Sequence, residues 1–277
     1  MRVGLVQMTA GPDPVANLAV TRRMVREAAT GGAGFVLTPE VTNILSSDRA
    51  LQARVLREEA GDETLAALRS DAASLGIWLL IGSLGLKTGD PDGRFANRSF
   101  LIGPDGQVRA CYDKIHMFDV NVSETEQYRE SAAYRPGARA VVADTPFVRL
   151  GLSVCYDLRF PHLYRRLAQG GAQILTVPAA FNDTTGAAHW HVLLRARAIE
   201  TGCWVIAPAQ TGTHGLHNGR PRRTYGHSLV VAPWGEVVSD AGTDPGVTFA
   251  RIDLDEVARA RGRVPSLTHD RPFEGPA

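Results

Sequence analysis

Apolar residues in this chain gather in short dense runs, and the stretches between them show helical spacing, a pattern that predicts strands alternating with helices. Val3 to Met8 reads as the first strand. From Asn17 to Ala29 the apolar positions Leu18, Val25 and Ala28, with Met24 beside them, predict a helix that Gly31 and Gly32 stop. Gly34 to Glu40 follows as a strand, Asp62 to Ser74 as a helix with Leu65, Leu68 and Ala72 on one face, and Ile77 to Leu84 as a strand. Ser99 to Ile102, the turn Pro104-Asp-Gly106 and Val108 to Lys114 make a hairpin.

The second half repeats the order without repeating the sequence. Strand Val148 to Cys155 leads to helix Pro161 to Gln169, strand Gln173 to Ala179, helix His189 to Glu200 and strand Cys203 to Ala209. A second hairpin, Ser228 to Val231 and Glu236 to Val238 around Pro233-Trp-Gly235, precedes strand Val247 to Ile252. This alternation, joined in places by hairpins, predicts an α/β fold with a mixed sheet and helices outside, and the echo between halves points to two packed sheets. No composition break divides the chain, so residues 1–277 are expected to form one domain. Pro265 to Ala277, polar and proline-rich, is read as a flexible tail or an arm packed on a partner subunit.

Three strand-like runs end in residues that carry chemistry. Val148 to Cys155 stops at a cysteine, turns, and enters a helix that Pro161 opens at its first position, where a missing N–H costs little. The positive end of that helix would favour thiolate over thiol, and free N–H groups at the turn would hold an oxyanion. A buried structural cysteine would leave the same pattern. Val108 to Lys114 ends in one of only two lysines, Lys87 and Lys114, among thirty basic residues. Arginine stays protonated, whereas a lysine is a compact charge that its surroundings tune. Gly34 to Glu40 ends in a carboxylate. Ligands of open α/β sheets sit outside the carboxyl ends of strands, so the three side chains are expected to converge on one pocket. There a carboxylate can take the thiol proton, the sulfur can attack, and the ammonium can stabilise the developing negative charge, a set suited to acyl transfer.

Composition narrows the picture. A formal net charge of +1, with acids and bases interspersed, offers no basic face for nucleic acid and no polybasic membrane anchor. No stretch is long and apolar enough to span a bilayer, and no signal or transit peptide is read at the start. Cys111, Cys155 and Cys203 are odd in number and lack metal-ligand spacing, which leads to the expectation of a reducing, cytoplasmic setting.

The residues from Val3-Gly-Leu-Val-Gln-Met8 through Lys114-Ile-His-Met-Phe-Asp119 and Cys155-Tyr-Asp-Leu-Arg-Phe160 to Tyr225-Gly-His-Ser228 and Pro233-Trp-Gly235 resemble the carbon-nitrogen hydrolase family, also called the nitrilase superfamily. The resemblance implies a four-layer αββα sandwich with two mixed β-sheets, assembly into homodimers or larger homo-oligomers, and a Glu-Lys-Cys triad matched by Glu40, Lys114 and Cys155. It also implies a second pocket glutamate. Glu130, in Tyr128-Arg-Glu-Ser131 ahead of Arg135-Pro-Gly137, fits that position better than Glu124 or Glu126. The implied activity is hydrolysis of a small-molecule amide through a cysteine thioester, without metal or cofactor.

Ala180 to Trp190 and Leu193 to Gly202 look like the Nit branch of the family, whose implied substrates are short ω-amides of keto-dicarboxylic acids. Leu194 to Thr201 and Ala209 to Gly212 resemble members acting on deaminated glutathione more than those acting on α-ketoglutaramate; the loop Asp119 to Glu126 departs from the animal-type pattern. A carboxylate-bearing substrate calls for a polar or cationic clamp, for which Arg159, Thr184 and Thr185 are candidates, with Tyr156 and Phe181 as walls. An ion pair between Arg159 and Asp157 is the competing reading. A nitrilase or N-carbamoyl hydrolase would share the triad, and a catalytically idle scaffold is the non-enzymatic alternative.

Other constellations are read as structural. His189-Trp-His191 diverges around a helix and lacks a completing carboxylate. Gly31-Gly-Ala-Gly34 lacks dinucleotide-loop spacing. Gly212 to Arg223, flanked by His214, His217 and His227, reads as a solvated loop, with no local signature for a Cys-His pairing.

Overall fold

The computed structural model describes residues 1–124, 126–217 and 219–276. Its first half runs Arg2–Gln7 (β1), Pro14–Thr30 (α1), Phe35–Leu37 (β2), Arg49–Val55 (α2), Glu63–Leu75 (α3), Trp78–Lys87 (β3), Phe95–Ile102 (β4) and Val108–Asp113 (β5). A small hairpin, Asp119–Asn121 (β6) and Gln127–Arg129 (β7), leads to Val141–Asp144 (β8). The second half continues as Arg149–Leu152 (β9), Pro161–Gln169 (α4), Ile174–Thr176 (β10), Asp183–Thr201 (α5) and Trp204–Ala207 (β11). Thr211–His217 (β12) and Arg220–Tyr225 (β13) form a hairpin, followed by Leu229–Val231 (β14), Val237–Asp240 (β15), Gly246–Arg251 (β16) and Asp255–Arg263 (α6).

Two six-stranded sheets carry the fold, ordered β16-β1-β2-β3-β4-β5 and β15-β14-β11-β10-β9-β8. In each, three parallel strands are flanked by one antiparallel strand on one side and an antiparallel pair on the other. The echo between halves is thus a repeat of topology. Side-chain alternation sorts the layers. Val3, Leu5, Phe35, Leu37, Leu80 and Leu101 face the second sheet and join Leu150 and Leu152 in the central core. Val6, Val36, Leu79, Ile81 and Phe100 face outward onto Met24, Val25 and Ala28 of α1 and Leu65, Leu68 and Ala72 of α3. On the far side α4 and α5 bury Leu163, Tyr164, Leu167, Trp190, Leu194 and Ala198. The result is the four-layer αββα sandwich that the resemblance implies.

Helix ends follow local chemistry. Asp13 and Asp62 cap α1 and α3 by accepting from Val15 N (2.9 Å) and Leu65 N (2.8 Å), and Pro14 supplies the first position of α1. Asn182 accepts from Thr185 N (3.1 Å), so α5 starts at Asp183, six residues before the expected His189. Helices α2 and α6, strand β8 and the β6–β7 hairpin lie outside the elements expected from periodicity; each is short.

One expectation is corrected. Gly212 to Arg223 is the β12–β13 hairpin rather than a solvated loop, with Asn218 at its tip outside the described residues. Tertiary bonds hold it: Thr211 N donates to Met8 O and Tyr225 N to Phe181 O. In the C-terminal segment Asp270 accepts from Arg165 and Gln169 of α4, while Phe273 stays exposed. Ala277 lies outside the described residues. Among those described, no helix is long and apolar enough to cross a membrane.

Candidate active site

Glu40, Lys114 and Cys155 each follow the carboxyl end of a strand, β2, β5 and β9, and the packing of the two sheets brings them together. Gly82 of β3 makes this approach possible. A Cβ there would lie 2.1 Å from Thr38 O and 2.5 Å from both Pro39 O and a side-chain carbon of Pro178, so any side chain would push apart the turns that carry Glu40 and Ala180. The backbone is strained beside two of the three groups. Cys155 has φ +50° and Val41, next to Glu40, has φ +47°, a conformation that costs a non-glycine residue about 1–3 kcal/mol and concentrates at functional sites.

The side chains form one buried network. Lys114 Nζ donates to Glu40 Oε1 (2.9 Å) and to both oxygens of Glu130 (2.9 and 2.8 Å). Asn97 Nδ2 donates to the same Glu40 oxygen (2.9 Å) and reaches Glu130 Oε1 at 3.3 Å. Ala180 N donates to Glu40 Oε2 (2.8 Å), and the Cys155 thiol lies beside the Glu40 carboxylate. Glu130 also accepts from Phe118 N (2.6 Å). Burial alone would raise the pKa of Glu40, but the charge of Lys114, the hydrogen bonds from Lys114 and Ala180 and the neighbouring Cys155 thiol outweigh it and hold the carboxyl below its ordinary value. Burial alone would lower Lys114, yet the charges of Glu130 and Glu40 carry it well above the usual lysine range.

Cys155 departs from the expectation of a resting thiolate. Burial and the adjacent Glu40 carboxylate push its pKa well above the usual thiol value, and Lys114 offsets only part of this. The sulfur rests as a thiol next to an ionised carboxylate. Its own N–H donates to Pro178 O (2.9 Å), whereas the N–H of Tyr156 donates to no acceptor among the described residues.

Asp157 fixes the turn on which Cys155 sits. Fully buried, it accepts from Tyr112 Oη (2.7 Å), Val154 N (2.8 Å) and His116 N (3.0 Å), and its Oδ1 lies 2.7 Å from His116 Nδ1. The turns after β5 and β9 are thereby tied to one carboxylate. Asp157 therefore does not pair with Arg159, whose Nη1 lies 3.2 Å from His189 Nδ1.

The network floors a cavity that opens to solvent. Of the residues expected from sequence, Glu40, Lys114, Cys155, Glu130, Tyr156, Phe181 and Thr185 line it. Arg159 and Thr184 do not. The Arg159 guanidinium lies over the rings of Tyr156 (5.9 Å) and Phe181 (5.2 Å), and Thr184 is exposed in the first turn of α5, because that helix begins earlier than periodicity predicts. Glu126 accepts from Tyr128 Oη (2.8 Å) and Asn182 Nδ2 (2.6 Å), and Glu124 is exposed. Asn97, Tyr128, Tyr134, Asn182 and Arg222 also line the cavity and were missed. Nothing local marks Asn97, which is followed in β4 by the polar residues Arg98 and Ser99.

The histidines have other partners than Cys155. His189 and His191 diverge; His191 Nε2 lies 3.0 Å from Asp240 Oδ2, and His227 Nδ1 lies 2.9 Å from Asp240 Oδ1. The potential ligand atoms of these three are within 4.8 Å of one another, and their mutual hydrogen bonds account for the arrangement without a cation. His217 Nε2 is 2.8 Å from Gln127 O, and its ring stacks on Tyr128. His214 anchors the β12–β13 hairpin through Ala10 O (2.8 Å) and Thr224 Oγ1 (2.6 Å).

Burial lowers the pKa of His214 to about 4. Its contribution is complete above about pH 6.5, where the unfolded imidazole is also neutral, and is lost as pH falls toward 4, by up to about 3 kcal/mol. Urea unfolding of wild type and His214→Asn at pH 7 and pH 4.5 should show a smaller acid-induced drop in the variant; parallel curves would exclude this assignment.

Comparisons place these features among known proteins. A model of the carbon-nitrogen hydrolase family matches residues 2–262. Over 271 residues the chain is 39% identical to the deaminated glutathione amidase of Yersinia enterocolitica, spanning 97% of this chain and 92% of that one. Its structure is similar to that of the Caenorhabditis elegans NitFhit protein, with a TM-score of 0.90 at 37% identity, covering 98% of this chain and 65% of the other. It is also similar to a mutant of the amidase from Nesterenkonia sp. AN1 that shows Michael addition of acrylamide at its active-site cysteine, with a TM-score of 0.77 at 28% identity, covering 96% and 98% of the two chains.

Proposed function

Because the chain belongs to the carbon-nitrogen hydrolase family, we propose that it is an amidase that cleaves deaminated glutathione to α-ketoglutarate and cysteinylglycine, with Glu40, Lys114 and Cys155 as its catalytic triad. The observation that carries the chemistry is the buried Cys155 thiol beside a buried, ionised Glu40 whose Oε1 is held by Lys114 and Asn97.

Glu40 takes the thiol proton as the sulfur attacks the amide carbon, so a thiolate exists only during attack. Lys114 Nζ and the Tyr156 N–H receive the oxyanion of the tetrahedral intermediate. The intermediate collapses as Glu40 returns its proton to the leaving nitrogen, which departs as the amine of cysteinylglycine and leaves a thioester on Cys155. Glu40 then takes a proton from water, the hydroxide adds to the thioester carbon, and the thiol is regenerated as the acid leaves. Glu130 accepts two hydrogen bonds from Lys114 and aims its ammonium.

The choice of amide rests on relatives near 40% identity that bear the name deaminated glutathione amidase. The test is α-ketoglutarate release from deaminated glutathione and from α-ketoglutaramate, side by side. Higher kcat/KM on the tripeptide analogue is the expected result. A preference for the small amide would replace the substrate assignment, and no release from either would remove it.

A further inference from the structure

Every cation lining the cavity has a hydrogen-bond or carboxylate partner among the described residues except one. Lys114 is held between Glu40 and Glu130. Arg129 donates to Val120 O, Tyr128 O and Asn121 Oδ1. Arg222 has neither a hydrogen-bond acceptor nor a carboxylate partner among the described residues; its guanidinium lies 5.8 Å from the ring centroid of Tyr128, another cavity wall.

The hairpin aims this side chain inward. In the β12–β13 pairing Arg222 stands opposite His214, and cross-strand partners project to the same face. His214 is buried and bonded to Ala10 O and Thr224 Oγ1, so that face is fixed against the body of the protein. Arg223, one residue on, points the other way, where it is exposed and 3.7 Å from Asp183. The alternation leaves a guanidinium at the cavity wall with its donors free. Near the triad an anion would meet Glu40 and Glu130 against the single charge of Lys114, so a negatively charged substrate has to place its charge away from them, and Arg222 supplies a counter-charge there.

We propose that Arg222 is a specificity residue that binds a carboxylate of the substrate, so that the enzyme takes amides bearing free carboxylates in preference to neutral ones. Its planar fork fits a carboxylate through two parallel hydrogen bonds, which a lysine cannot reproduce. The assignment rests on the amidase reading above.

The test compares deaminated glutathione with its dimethyl ester, which has the same scissile amide and no negative charge. Wild type is expected to favour the free acid. Arg222→Gln should lower kcat/KM on the acid by about a hundredfold, chiefly through KM, and change the ester by less than about threefold. Arg222→Lys should recover about tenfold of the loss. Equal losses on both substrates, an unchanged acid rate or no recovery with lysine would overturn the proposal. If wild type hydrolyses neither compound, it is the amidase reading that fails. Arg222 is then tested by calorimetric binding of deaminated glutathione to Cys155→Ala with and without Arg222→Gln: about a hundredfold weaker binding supports the role, and equal binding overturns it.

Discussion

Cys155→Ala is expected to lose hydrolytic activity by a factor of about 10⁴ or more while remaining folded. Sulfur is the only atom in the network placed to form an acyl intermediate, and nothing else beside Glu40 can replace it: Lys114 is protonated and its Nζ is engaged by two carboxylates. Folding should scarcely register the change. One buried sulfur is lost, at a cost of about 1 kcal/mol, and Lys114, Asn97 and Ala180 N continue to satisfy the Glu40 carboxylate. Cys155→Ser should be nearly as inactive, since a hydroxyl holds its proton more tightly than a thiol that burial has already made a weak acid. Product release and thermal unfolding measured on the same preparations decide the matter. Residual turnover above about one per cent in the alanine protein would mean that chemistry proceeds without the sulfur and would remove the thioester mechanism.

Lys114→Ala should cost both activity and stability. The ammonium is 2% exposed and is the only described cation bonded to Glu40 or Glu130, so its removal leaves two carboxylates facing each other in a buried site. Breaking a buried ion pair by deleting one partner typically destabilises by about 3–5 kcal/mol. Lys114→Arg keeps the charge but must fit a planar, larger head where one nitrogen makes three bonds of 2.8–2.9 Å, so it too should be inactive. The pH dependence has a definite sign. Glu40, held below its ordinary value of 4.5, contributes stability above that pH, lost as pH falls through its folded pKa. Lys114, held above its ordinary 10.5, contributes below that pH, and the contribution disappears as pH rises through its folded pKa. Wild type should therefore keep this contribution across neutral pH, and Lys114→Ala should lack it throughout. Urea unfolding at pH 7, paired with activity, reads both effects. A stable alanine variant would show that the ion cluster does not hold this end of the sheets together, and an active arginine variant would contradict the positioning role of Lys114.

These two residues also show how sequence and structure divide the explanation. Glu40 and Cys155 could be picked out because each stands at the end of an apolar run, and Lys114 because a strand-like run ends in one of only two lysines; local periodicity records where strands end. Helix α4 was read with its observed bounds because Pro161 and the apolar positions after it are local signals. The start of α5 was missed because its cap, Asn182, sits in a segment without apolar periodicity. That error moved Thr184 from the expected carboxylate clamp to an exposed helical turn. Thr185, one residue further on, does reach the cavity.

The charge state of Cys155 was misread for a related reason. A turn leading into a helix suggests a field that favours thiolate, but burial and the neighbouring Glu40 carboxylate dominate, and neither is visible from residues 148–161. The likeness to a known family added Glu130 and the layer count, which periodicity could not supply.

By itself, the sequence determined the strand-helix order, the three chemical groups at strand ends and the topological echo between the halves, all of which depend on neighbours within about one element. Only the tertiary structure decided which side chains share a pocket. Asn97 reaches Glu40 across 57 residues, Ala180 N reaches it across 140, and the β12–β13 hairpin presents Arg222 because His214 bonds to Ala10, 204 residues away. The physical reason is that hydrogen bonds and burial act through space, and two stacked sheets bring together groups whose separation along the chain carries no trace of that proximity.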